Sequence, residues 1–137
     1  MIKKYVYFAL SAGTFASFVT VIYSLAYENA TAIEGEQLES LRGALPMLNL
    51  IIAPFLGCIV ATAGYVLTRK QLPEIGPFLF YFAFSAVSIL TSFGIFTVYD
   101  LHEEIMYTVY GYAMPMHFFP FLSWVTFKAL FFPEQKL

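Results

Sequence analysis

Four long apolar stretches, separated by short polar segments, run along this chain at Tyr5–Tyr27, Met47–Thr68, Phe78–Val98 and Ile105–Phe127. Each reaches the roughly 20 residues that an α-helix needs to cross a hydrocarbon layer. A transmembrane barrel would instead require alternating strands of about 10 residues. These runs do not alternate, so the pattern predicts helices, whose backbone polar groups are satisfied within each segment. The expected fold is all-α: an integral membrane four-helix bundle of antiparallel spans, a single transmembrane domain over residues 1–137. Lys3 and Lys4 give the first run the look of a leader. Its length, about 23 residues against roughly 7–15 for a signal core, makes it a span.

The flanking charges orient the bundle. Lys3, Lys4, Arg69, Lys70, Lys128 and Lys136 fall on one side and Arg42 on the other. Glu28, Glu34, Glu36, Glu39, Asp100, Glu103 and Glu104 share the side of Arg42. The lysine and arginine bias places both termini in the cytoplasm and two acidic loops, 28–46 and 99–104, outside. Pro46 suits the first turn of the second span, and Pro73 with Pro77 punctuate the start of the third. Asp100 and Glu103 have capping-box spacing for the fourth. Thr31 and Glu34 share that spacing. They predict a short surface helix with Ile33, Leu38 and Leu41 on one face, ended by Gly43.

Each span carries a stripe at three- and four-residue spacing, which keeps its members on one helical face. The stripes are Gly13, Ser17, Thr20 and Ser24; Asn49, Ala53, Gly57, Ala61 and Gly64; Tyr81, Ser85, Ser88, Ser92 and Tyr99; and Tyr107, Tyr110, Met114, His117, Phe121, Trp124 and Lys128. Ala53, Gly57 and Ala61 form a small-xxx-small run, a helix-packing signal in lipid. Tyr5, Tyr7, Tyr23, Tyr27, Tyr99, Tyr107 and Trp124 cluster toward the predicted interfaces, where amphipathic rings anchor spans. Lys128 is expected to snorkel to the headgroups.

Only one ionisable side chain, His117, falls deep within a span. It lies between Pro115 and Pro120, each of which removes a helix hydrogen bond and displaces the carbonyl four residues earlier, here those of Gly111 and Met116. A kinked stretch over Gly111–Pro120 is therefore expected. A neutral imidazole donates one hydrogen bond and accepts another, and Asn49, Ser85, Ser88 and Ser92 are candidate partners. Three readings follow: a histidine that fixes packing, a proton- or ion-handling group, or a haem ligand. His102, about 15 residues and 22 Å away along the helix, cannot supply the opposite face of one iron. Haem would need Met or a second copy of the chain.

Composition narrows the classes. The chain is 60% hydrophobic and 12% charged, against about a quarter charged in soluble domains. A net charge of −2 gives no signal for nucleic acid. The lone Cys58 excludes an internal disulfide or a cysteine cluster and reads as a small core residue. Asp100–Glu104, with His102 and the first-loop glutamates, suggests a cation site, but capping and solvation explain these residues more simply; no metal site and no cofactor are predicted. No catalytic set, P-loop or paired intramembrane carboxylate is found. The acidic outer loops and a last span containing Met116-His117 resemble small, uncharacterised four-helix bacterial membrane proteins. That resemblance covers the general plan and two residues, and implies the plan alone. The expected partners are the lipid bilayer and either a second copy or other membrane subunits. The leading function is an accessory or structural subunit of the cytoplasmic membrane. A channel or transporter with a polar path past His117, and a haem- or quinone-binding redox subunit, are the alternatives.

Overall fold

The computed structural model describes residues 2–98 and 103–133. Among them the helices are α1 (Ile2–Ala30), α2 (Glu36–Ala44), α3 (Met47–Gln71), α4 (Gly76–Val98), α5 (Glu103–Met116) and α6 (Phe119–Phe131). No strand occurs among the described residues, so the protein is all-α as its apolar pattern predicts. Three helices, α1, α3 and α4, are long and apolar enough to cross a membrane. The fourth run is not one helix. It is broken at His117 and Phe118 into α5 and α6, of 14 and 13 residues. The expected kink is thus a full interruption, because Pro115 and Pro120 remove two backbone donors within six residues.

The helices pack in chain order around a bundle. The α1 helix lies against α3 on one side and against α6 and α5 on the other; α4 closes the ring between α3 and α5–α6. Neighbours run antiparallel. The start of α1 meets the chain beyond α6, where Tyr5 stacks on Phe132 at 4.7 Å. The end of α1 meets α5, where Tyr27 meets Tyr112 edge-on at 5.6 Å.

Two apolar layers fill the interior. One, near the chain termini, joins Phe8, Ala12, Ala16, Cys58, Ala61, Tyr65, Phe80 and Trp124. Trp124 is fully buried, and its indole N–H donates to Thr62 Oγ1 at 2.9 Å. The expectation of an interfacial Trp124 is therefore corrected: a buried donor this large needs a partner, and α3 supplies one. The other layer joins Ile33, Leu41, Leu50, Val109, Tyr112, Ala113 and Met116.

Helices α1 and α3 approach each other closely at Gly13. A Cβ on Gly13 would meet Phe55 Cδ2 at 2.9 Å and Phe55 O at 3.1 Å. Glycine here lets two backbones approach, the small-residue logic assigned to α3 from its sequence. On α3 itself the run is split: Ala61 is buried, Gly57 faces Pro120, and Ala53 is exposed. Pro54 sits inside α3, a break in the ladder that the span pattern alone did not mark. Beside it, the Ser17 hydroxyl lies 2.6 Å from Ile51 O and 3.0 Å from Gly13 O. It thereby tethers α1 to the proline turn.

Segment 28–46 is less loop-like than expected. Glu28 belongs to α1, and α2 is the anticipated short helix, with Leu41 buried. Its start differs: Gly35, at φ 59°, precedes Glu36 with no side-chain cap, and Thr31 donates to Tyr27 O instead. Gly43 lies within the helix rather than ending it. Pro46 precedes α3, and Pro77 lies in the first turn of α4. The α3–α4 turn needs glycine at Gly76, where a Cβ would approach Thr68 O to 2.5 Å.

The distribution of polarity is inverted relative to a protein in water. Ser17, Thr20, Ser24, Thr62, Ser88, Ser92 and Ser123 are buried, while Val60, Phe78, Phe82 and Leu90 are 66–72% exposed. Substitution Gly13→Val should wedge α1 from α3 and destabilise the protein by about 1–3 kcal/mol, a usual overpacking cost. A lower thermal midpoint in detergent, followed by circular dichroism, would show it; an unchanged midpoint would refute the close approach.

Candidate functional site: a cavity beside the helix break

The break between α5 and α6 sets the geometry of His117. Around it the amide of His117 bonds to Met114 O at 3.3 Å and that of Phe118 to Pro115 O at 3.1 Å, three residues back rather than four. The carbonyl of Ala113 thereby loses its usual helical partner. The His117 ring replaces it, with Nδ1 at 2.9 Å from Ala113 O. A carbonyl only accepts, so Nδ1 carries the proton, and in the neutral ring Nε2 keeps a lone pair.

Pro115 frees a second carbonyl, that of Gly111. The Tyr23 hydroxyl donates to it at 2.7 Å, and the Tyr27 hydroxyl donates to Thr108 O at 3.2 Å. Gly111 permits this approach, because any Cβ there would collide with the Tyr27 hydroxyl. The two tyrosines were expected as interfacial anchors. Their hydroxyl groups hold the broken helix.

His117 lines a cavity of about 370 Å³ bounded by α1, α3, α4 and α5–α6. The walls are mainly apolar: Leu45, Leu50, Ala53, Pro54, Gly57, Phe84, Val87, Ala113, Met116 and Pro120. Its polar lining residues are Thr20, Asn49, Ser88, Thr91 and His117. Thr20 donates to Ala16 O, Ser88 to Phe84 O and Thr91 to Val87 O, at 2.8, 2.9 and 2.8 Å.

Of the residues proposed around His117, the structure brings Asn49 and Ser88 to the same cavity. Neither hydrogen-bonds the ring, whose partner is in its own helix. Ser85 and Ser92 do not line the cavity; Ser92 is buried and donates to Ser88 O at 2.8 Å. Ala53, Gly57 and Pro120 are wall residues, while Ala61 lies in the apolar layer beyond. Pro115 acts through the carbonyl it frees. Cys58 is fully buried and its thiol donates to Pro120 O at 3.6 Å. Asp100 and His102, proposed for a cation, lie outside the described residues. Among the described residues no three His, Cys, Asp or Glu side chains gather.

A second polar cluster escaped sequence reasoning. Glu28, 8% exposed, receives Arg42 Nη2 at 3.0 Å and the Tyr112 hydroxyl at 3.3 Å. It ties α1, α2 and α5 together. The signal lay in one helical turn separating Ser24 from Glu28, which extends the buried stripe by a carboxylate. The hydrogen bond to Glu28, and then the attraction of its charge, raise the Arg42 pKa above the usual guanidinium value. A raised pKa stabilises the fold below the unfolded value and is lost only as pH rises through the folded one. That window lies far above neutral pH.

Compared with known protein families, curated proteins and solved structures, the chain matches none.

Two outcomes follow. Tyr23→Phe strands the partly buried Gly111 O and should cost about 1–3 kcal/mol, the desolvation penalty of an acceptor left unpaired; an unaltered unfolding midpoint would discount the tether. Arg42→Gln should raise amide hydrogen exchange throughout α2, by a factor that stays constant across neutral and mildly alkaline pH. A pH-dependent factor would contradict the sign above.

Proposed function

We propose that the chain is a four-pass protein of the cell membrane with both termini on the cytoplasmic side. In this reading it serves as a small accessory subunit that engages a second copy or other membrane subunits through helix contacts. The observation that carries it is the inverted polarity: serines and threonines inside, phenylalanines and aliphatics outside. In water such a surface would aggregate; in hydrocarbon it is the stable arrangement, since polar atoms must be satisfied internally.

The fourth pass combines α5 and α6. Together with the break they extend on the order of 40 Å at helical rise, enough to cross. Non-helical backbone at that depth is tolerated where it lines a cavity or is buried in protein, as at His117. The lysine and arginine bias supports the orientation. Arg69 donates to the Tyr5 hydroxyl at 3.3 Å and the Lys4 ammonium lies 4.8 Å from the Phe132 ring, so these cations gather at one end of the bundle.

The accessory role is favoured by α4. It buries the least of the three long helices and exposes Phe78, Phe82 and Leu90. A conducting path past His117 has weaker support, because Phe8, Tyr65, Phe80 and Trp124 pack ring against ring, edge-on or tilted, with centroids 5.1–5.5 Å apart beyond the cavity. A haem within one chain would need a ligand opposite His117; the nearest thioether in sequence, Met116, is on the same turn.

The test is cysteine cross-linking in native membranes. The native Cys58 is buried, so background is low. Phe82→Cys or Leu90→Cys should give a discrete adduct with a bifunctional maleimide, and Phe18→Cys on α1 should not. If the α4 cysteines accept a monofunctional maleimide yet form no adduct, the accessory reading fails.

A further inference from the structure

The polar lining of the cavity is one-sided. Thr20, Ser88 and Thr91 spend their hydroxyl protons on carbonyls of their own helices. The Nδ1 proton of His117 is likewise committed to Ala113 O. What remains uncommitted on these four lining residues is lone pairs: three hydroxyl oxygens and Nε2. Asn49 is the one polar lining side chain that brings N–H donors.

A lining with more free acceptors than donors favours an occupant that donates. No Asp, Glu, Lys or Arg is among the lining residues, so a charged ligand would lie uncompensated in apolar surroundings at a large desolvation cost. The donor therefore belongs to a neutral molecule. At about 370 Å³ the space is within the range of small-molecule sites. Ala53, Val87 and Thr91 both line it and are exposed. It therefore reaches the bundle surface between α3 and α4, where an alkyl tail can leave for the surrounding lipid.

We propose that this cavity binds a neutral, lipid-soluble alcohol or phenol, its hydroxyl donating to Nε2 of His117 and its apolar body lying between α3 and α4. The proposal rests on the membrane reading above. It assigns His117 two jobs at once: Nδ1 repairs the helix break, and Nε2 is turned to recognition. A ligand of equal shape whose hydroxyl hydrogen is replaced by methyl has no proton to give and loses the contact.

The experiment measures equilibrium binding of para-nonylphenol and of its methyl ether, para-nonylanisole, to the full chain in nanodiscs, with empty nanodiscs as reference. The phenol should bind saturably and at least about tenfold more tightly than the ether, the value of one hydrogen bond retained in an apolar site. His117→Phe should abolish the difference. Val87→Trp, at an exposed position in the mouth, should block the phenol while leaving the fold intact, and serves where the histidine variant does not fold. Equal binding of phenol and ether, or unchanged phenol binding in the Val87→Trp protein, overturns the proposal. A chain that stays in the soluble fraction without entering nanodiscs instead overturns the membrane reading.

Discussion

Buried backbone carbonyls require donors, and a helix that contains two prolines within six residues cannot provide them all. The organisation of this protein turns on how that deficit is met. Gly111 O receives the Tyr23 hydroxyl from α1, and Ala113 O receives the ring of His117. The first repair crosses between helices and so fixes where α5 lies against α1. The second stays within the helix and so fixes which way the imidazole turns. The shape of the bundle and the chemistry of its histidine both descend from that one constraint.

The same requirement explains the hydroxyl groups elsewhere. Serines and threonines in α1, α3, α4 and α6 mostly donate to the carbonyl four residues back. Such bonds let a polar side chain sit on an apolar face without a partner from another helix. They also remove donors from the interior, leaving oxygens that only accept. Satisfying polar groups for stability thus sets the sign of hydrogen bonding that the cavity offers. The Glu28 cluster solves the equivalent problem for a charge: two donors from two elements surround one carboxylate, and α2 is held in place as a consequence.

Much of the candidate site was legible in outline. Prolines at 115 and 120 mark where the fourth apolar run must fail, and a lone histidine between them marks where chemistry can arise. The stripe Gly13, Ser17, Thr20 and Ser24 identified the buried face of α1, because helical period and side-chain size are written locally. Trp124 shows the opposite case. An indole near the end of a span is an interfacial anchor by composition, yet here it lies within a cage of rings from α1, α3 and α4. Nothing local to Trp124 encodes which helices surround it.

The amino-acid sequence by itself determined the helical class, the number of apolar runs, the asymmetry of charge between their ends, and the weak point of the last run. These follow from periodicity, length and the missing N–H of proline, which act over a few residues. Only the tertiary structure decided that the break is complete, that Tyr23 mends it, that His117 bonds Ala113 O rather than a serine, and that Asn49 and Ser88 share its cavity while Ser85 and Ser92 do not. Those outcomes depend on the rotation of each helix about its axis and on its neighbours. Such rotations are set by close approaches like Gly13 on Phe55 and Gly111 beneath Tyr27, which join residues far apart in the chain.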